Sequence, residues 1–273
     1  MTKYYSQNGE DFLLCNLLEY KDRGFYVDVG AFDGVHLSNT YSFEQQGWPG
    51  ICVEPNPRYF QLCKRSRPLA LCLNFACVAD EDVKTVEFYE EELGLLSGVY
   101  ADREDDVRAR YQGRGLAFEG FSTRTVPAAT LNSVLSKNLP HGTEIDFISI
   151  DVEGTELEVL RGVDLSRFRP RVLLIEANSA EAEKCLGTHL MKFGYIQARR
   201  LIENVFFARD CSDVATIRTI PIDCRLERSI HPLGEEYTPQ AYRESRLIRM
   251  EAEHRVSPVR QRITGRLRTL LSR

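Results

Sequence analysis

The chain is expected to fold as an α/β protein: a Rossmann-like, mostly parallel seven-stranded sheet with helices on both faces and a terminal antiparallel hairpin. Three observations predict this. From about residue 10 to 209, short apolar runs alternate with longer helical patterns, the rhythm of a parallel sheet covered on both sides. The last two runs, at 195–200 and 204–209, are separated only by Leu201-Ile202-Glu203. That gap is too short for a crossover helix, so the two runs must pair antiparallel. At 273 residues and 43% hydrophobic content, the chain can bury one sizeable core.

The strands are read at 24–29, 50–54, 74–79, 146–151, 171–177, 195–200 and 204–209, with helices at 12–19, 58–64, 131–137 and 156–160. Before the first helix stands "YSQNGED". Ser6 or Asn8 can cap it, with Glu10 and Asp11 in the favoured acidic first turn; the alternative is that Gln7 closes over a ligand.

The first strand runs into "YVDVGAFDGVHLSNT". Gly30 and Gly34 suit a sharp turn off the strand tip, and Asp28 sits at the carboxyl end, the ligand-binding edge of an open α/β sheet. A dinucleotide fingerprint reads GxGxxG, but position 32 is Phe, which argues against a pyrophosphate. The acidic loop, with Asp28, Ala31 and Asp33, fits a ligand carrying a positive amine. Ser38 and Asn39 start the next helix, and Asn39 is also within reach of a ligand carboxylate.

The second strand ends in Glu54, about twenty residues on, where a carboxylate accepts both ribose hydroxyls of an adenosine. Pro55 and Pro57, with Asn56 between them, then force the chain out of the strand. After the third strand, Val78 and Asp80 are placed to meet an adenine edge. Between about 90 and 123 the sequence turns charged and glycine-dotted, as a lid or acceptor loop does.

The fourth strand ends in "ISIDVEGTE". Asp151 and Glu153 are the carboxylates at its tip, whereas Glu156 belongs to the first turn of the following helix, with Gly162 as its C-terminal cap. The fifth strand ends in "LLIEAN", so Glu176 and Asn178 can emerge beside Asp151, where such oxygens can hold magnesium. A divalent metal is considered but not favoured.

The remaining features bound the class. Net charge is −5, so no nucleic-acid partner is expected. The eight cysteines never form CxxC and several sit in apolar runs, which reads as reduced core thiols. No apolar run approaches the ~18 residues of a membrane span, and a soluble, cytoplasmic chain is expected. From Arg246 the sequence carries eight arginines against Glu251 and Glu253. Helical apolar spacing at Val259, Ile263, Leu267 and Leu270 makes this an amphipathic basic tail, able to meet an anionic partner or membrane face. The expected domains are 1–210, with the insertion, and a C-terminal extension at 211–273.

The pieces "YSQNGED", "YVDVGAFDGVHLSNT", "GWPGICVEPNP", "IDFISIDVEGTELEVLRG" and "GY…NVFFAR" span residues 4 to 209 in order. Together they resemble the FkbM family of S-adenosylmethionine-dependent methyltransferases. The resemblance implies a class I methyltransferase sheet and methyl transfer, commonly to a hydroxyl of a sugar or secondary metabolite. It implies that Asp28, Gly30 and Gly34 face the methionine part of the cofactor, Glu54 the ribose, and that Asp151 lies beside the sulfonium. A hydroxyl acceptor needs a base; the candidates are Asp151, then Glu153, then His36. The acceptor is expected to be a small molecule or glycan. A non-catalytic nucleoside-binding module and, less well supported, an NAD-dependent oxidoreductase are the competing readings.

Overall fold

Continuous apolar runs such as Phe147-Ile148-Ser149-Ile150 and Val172-Leu173-Leu174-Ile175 can only be strands buried on both faces, and the structure places them at the centre of one sheet. The computed structural model describes residues 4–18, 21–91, 94–99, 104–113 and 117–222. In chain order the elements are α1 (Glu10–Leu17), β1 (Tyr26–Val29), α2 (Tyr41–Gln45), β2 (Gly50–Val53), α3 (Pro57–Ser66), β3 (Ala70–Leu73) and β4 (Ala76–Cys77). Then follow β5 (Thr85–Glu90), α4 (Glu104–Gly113), β6 (Ser122–Ala129), α5 (Leu131–Asn138), β7 (Phe147–Ile150), α6 (Glu156–Arg161) and α7 (Leu165–Phe168). The chain continues through β8 (Val172–Glu176), α8 (Ala180–Met191), β9 (Ile196–Leu201), β10 (Asn204–Ala208) and α9 (Cys211–Thr219).

Seven strands form the main sheet in the order β3-β2-β1-β7-β8-β10-β9. The pairs from β3 to β8 are parallel, and β10 runs antiparallel to both β8 and β9. Alternate strand residues feed two cores. Val27, Ile51, Ile148, Leu173 and Phe207 pack with α5, α6 and α8 through Leu131, Val159 and Leu186. Tyr26, Cys52, Phe147, Leu174 and Phe206 pack on the other face with Leu13, Phe43, Cys63 and Ile217. Ile217 belongs to α9, so the packed fold runs on past residue 210, where the main domain was expected to end. The Arg171 guanidinium fixes that helix by donating to both oxygens of Asp213 at 2.7 and 2.6 Å.

The third strand differs from the expectation. The edge strand of the main sheet is β3 at Ala70–Leu73, not 74–79. The chain leaves the sheet at Asn74, whose amide donates to the carbonyls of Glu54 and Pro55 at 2.8 and 2.9 Å. Ala76–Cys77 then joins a second, three-stranded sheet of order β4-β6-β5. Its β5–β6 pair is antiparallel, with Glu90 opposite Ser122, and α4 lies on the chain between them. Leu96, Val107, Tyr111 and Phe118 form a small separate core there. No helix among the described residues is long and apolar enough to cross a membrane. The expected basic tail lies outside the described residues.

Behind the β1 tip sits Arg67, at the end of α3 and only 1% exposed. Its guanidinium donates to Ser38 Oγ at 2.6 Å, Thr40 Oγ1 at 2.8 Å, Tyr26 Oη at 3.1 Å and the Gly34 carbonyl. It also lies 3.4 Å from Glu44 and 3.7 Å from Asp28. Removing the cation from such a network leaves buried carboxylates without compensation, at a cost of about 3–5 kcal/mol. Arg67→Met is therefore expected to lower the unfolding free energy read from urea titration by that order, with Arg67→Lys recovering only part of it because an ammonium lacks the planar fork. Wild-type stability in Arg67→Met would contradict the assignment.

Candidate active site

All the carboxyl ends of β1, β2, β7 and β8 open on one edge of the sheet, and a cavity of about 230 Å³ lies there. Two short turns build its floor. At the first, Gly30 has φ +90° and its N–H, with that of Ala31, donates to the Val53 carbonyl at 2.9 and 3.0 Å. A Cβ on Gly30 would stand 1.7 Å from the carbonyl oxygen of Asp151. Glycine is needed here for contact between two strand tips, as well as for the left-handed turn. The second turn is Val152-Glu153-Gly154, in which Glu153 itself has φ 59°, a conformation costly for a residue with a Cβ. Glu156 Oε1 holds this turn by accepting the N–H groups of Gly154 at 2.8 Å and Val152 at 3.3 Å.

The cavity wall contains Asp28, Gly30, Ala31, His36, Asn39, Glu54, Pro55, Asp151 and Glu153 from the expected set. Asp28 accepts the Thr40 hydroxyl at 2.5 Å. Burial, and the neighbouring Cys52, push its carboxyl up to about 7 against the pull of Arg67. Glu54 spans the loop: Oε2 accepts from Phe32 N–H and Oε1 from Asn56 N–H, each at 2.8 Å. Burial likewise raises it to about 7, although both N–H groups favour its charged form. Asn39 donates to Ser149 Oγ at 3.1 Å.

Five expected residues are absent from that wall. Asp33 accepts the N–H groups of Val35 and His36 at 2.8 Å and pairs with the His36 ring. Burial works to raise its carboxyl, but the hydrogen bonds and charge of His36 outweigh it and hold the group below its ordinary value. Gly34 supplies its carbonyl to Arg67. Asn56 caps α3, accepting from Arg58 N–H at 2.9 Å. Val78 packs its carbonyl against Gly162, where a Cβ would come within 2.1 Å. Asp80 is exposed and accepts from Asp82 N–H. Phe75, Ala76 and Cys77 line the cavity where Val78 and Asp80 were expected. Asn178 is exposed, while Glu176 reaches the cavity.

Around Asp151 the charge is concentrated. Burial, and then the charges of Glu153 and Glu156, push Asp151 well above the ordinary carboxylate range. Burial and Asp151 do the same to Glu176. The Arg110 guanidinium, from α4, lies 3.6 Å from Glu153 and lines the cavity with Phe88, Leu96 and Val99. None of these four was foreseen as a site residue, because all come from the expected insertion or its flanks, where no motif marks them. Gln7 also lines the cavity. Its neighbour Ser6 bridges to Leu37, and the Ser6 hydroxyl accepts the Gly9 N–H at 3.1 Å.

A parallel sheet of this order, ending in an inserted antiparallel strand and bearing acids at the tips of its first, second and fourth parallel strands, defines a Rossmann-like class I methyltransferase. The chain belongs to the FkbM methyltransferase family, whose domain matches residues 28–208, and it is an S-adenosylmethionine-dependent methyltransferase. No curated protein matches its sequence. Among solved structures it is similar to a precorrin-6y C5,15-methyltransferase from Geobacter metallireducens (12% identity, TM-score 0.37, covering 72% of this chain and 85% of that one). It is also similar to a TehB-like methyltransferase from Corynebacterium glutamicum (12%, 0.36, covering 74% and 88%).

The donor set fits the cofactor: carboxylates for an ammonium and for vicinal hydroxyls, an apolar wall for a base, and a glycine cradle that a Cβ would fill. Gly30→Ala places a methyl group into the Asp151 carbonyl and strains the turn by about 1–3 kcal/mol. Calorimetry is expected to show S-adenosylhomocysteine binding weakened by about tenfold. Unaltered affinity would show that the two strand tips do not set the cradle.

Proposed function

We propose that the chain methylates a hydroxyl oxygen of a small metabolite or glycan. The observation that carries this reading is the group of carboxylates, Asp151, Glu153 and Glu176, gathered on the cavity wall next to Gly30. An uncharged amine attacks with its own lone pair and sheds its proton afterwards, whereas a hydroxyl must lose a proton as it attacks. A carboxylate whose proton affinity is raised is suited to take it. When bound, S-adenosylmethionine supplies a methyl group on a positively charged sulfur.

In this reading Glu54 accepts the ribose hydroxyls, and its two backbone N–H contacts fix its plane before any ligand arrives. Asp28 meets the methionine ammonium and Asn39 the methionine carboxylate. Phe75, Ala76 and Cys77 offer the adenine an apolar wall. Asp151 receives the acceptor's proton, and burial with the charges of Glu153 and Glu156 keeps its proton affinity high. His36, held by Asp33, stands as an alternative base. Most of the rate acceleration then comes from aligning the acceptor oxygen rather than from covalent help.

Among the described residues, the lining includes the carboxyl groups of Asp28, Glu54, Asp151, Glu153, Glu176 and Glu203 against one guanidinium, Arg110. Such a field attracts a cationic cofactor and repels a phosphate-rich polymer, which favours a neutral, hydroxylated acceptor. The segment carrying α4 and Arg110 serves as the acceptor-side wall.

Two outcomes test these roles. Asp151→Asn is expected to lower kcat by about 10²–10⁴-fold with cofactor affinity unchanged. Loss of cofactor affinity alone would move Asp151 out of the base role. The second concerns pH. Asp28 and Glu54 hold protons up to about 7 in the free protein, well above their unfolded values. They therefore stabilise the ligand-free fold most below pH ~4, and that contribution is lost as pH rises through about 7. Cofactor contacts need the ionised forms, so affinity is expected to climb with pH up to about 7 and then level. Glu54→Gln should weaken binding and flatten the climb, as read by calorimetry from pH 5.5 to 8.5.

A further inference from the structure

We propose that Asp151, Glu153 and Glu176 form a binding site for a hard divalent cation of magnesium size. One carboxylate oxygen from each lies within 4.8 Å of the others. In an octahedral ion with bonds of about 2.1 Å, adjacent ligand atoms stand about 3 Å apart, so small side-chain rotations close the set. The backbone brings the ligands together. Ile150 and Ile175 are partners in the parallel β7–β8 ladder, so Asp151 and Glu176 leave adjacent strand tips side by side. The left-handed Glu153 returns its carboxylate towards them.

A second observation is independent of this clustering. Glu176 is 6% exposed; its side chain meets that of Asp151, but no N–H or hydroxyl donor reaches its Oε2 atom. A buried carboxylate oxygen without a donor is expensive. The deep carboxylates elsewhere on the wall are provided for: Asp28 by Thr40, Glu54 by two backbone N–H groups. Asn204, which faces Glu176 across the β8–β10 ladder, also carries a buried oxygen without a partner, and so does Glu203. Of these, Glu176 and Glu203 line the cavity, and a cation bound at Glu176 would satisfy its oxygen. All three proposed ligands line the cavity, which gives an ion and its waters a way in. Arg110 stands 3.6 Å from Glu153 but is shared with Asp106 at 3.2 Å, so the three acids keep an excess of negative charge for a cation. Their all-oxygen character selects magnesium or manganese over softer metals.

This inference rests on the proposed reading for its consequence: a cation there would hold the acceptor oxygen and lower its pKa, favouring acceptors with two adjacent oxygens. The binding itself needs neither cofactor nor acceptor. The test titrates the metal-stripped full chain with Mn²⁺, following free Mn²⁺ by electron paramagnetic resonance, with Mg²⁺ as competitor. One saturable site with Kd below about 1 mM is expected. Glu176→Gln and Asp151→Asn should each weaken it by about tenfold or more, with melting curves confirming that each variant folds. Glu54→Gln should keep Mn²⁺ binding while losing S-adenosylhomocysteine affinity, so a failed ion site and a failed cofactor reading give different results. Absence of saturable binding, or binding unchanged in both ligand variants, overturns the site. Turnover indifferent to a chelator overturns the cation's part in the reaction.

Discussion

The organisation of the cofactor edge depends on one buried cation. Arg67 lies behind the glycine loop with its guanidinium in contact with α2, β1 and the turn between them. Burying a guanidinium is unfavourable unless nearly every N–H finds an acceptor. The surrounding chain is accordingly bent to provide them: a backbone carbonyl from Gly34, hydroxyls from Ser38, Thr40 and Tyr26, and a carboxylate from Glu44. The Tyr41 ring covers its face at 4.8 Å. This requirement determines where the loop turns, and Thr40, one of its acceptors, in turn holds Asp28. The position of a carboxylate at the cavity is thus set by a residue that never reaches the cavity.

Two groups of acids with different supports share the resulting cavity. Asp28 and Glu54 are held by hydrogen bonds from the loop, so their geometry exists before a ligand arrives. Asp151, Glu153 and Glu176 are held by strand ends and a strained turn, and they face one another across a short distance. In the proposed reading the first arrangement recognises the cofactor and the second meets the acceptor. That division follows from topology, because β1 and β2 supply the first group and β7 and β8 the second.

Much of this was legible from residue order. The central strands appear as unbroken apolar runs because both faces are buried, and Asp28, Glu54 and Asp151 are conspicuous because each ends such a run. The third strand was misplaced because Leu71-Cys72-Leu73-Asn74-Phe75-Ala76-Cys77 is almost uniformly apolar. Nothing in its pattern marks the point where the chain leaves one sheet for another. The exchange of Val78 and Asp80 for Phe75, Ala76 and Cys77 is the same displacement carried into the site. Arg67 follows Lys64 and Arg65, and in a sequence it looks like one more solvated charge at a helix end. Arg110 comes from a segment without motif, brought to the cavity only by tertiary packing of Val107 and Tyr111.

The pairing of Glu90 with Ser122 has an entropic consequence. Because both ends of the intervening chain are clamped on neighbouring strands, its length is invisible to the main sheet. Doubling such a loop adds only about 0.6 kcal/mol of closure entropy. The segment can therefore change in length at little cost to the strand pairing of the main sheet.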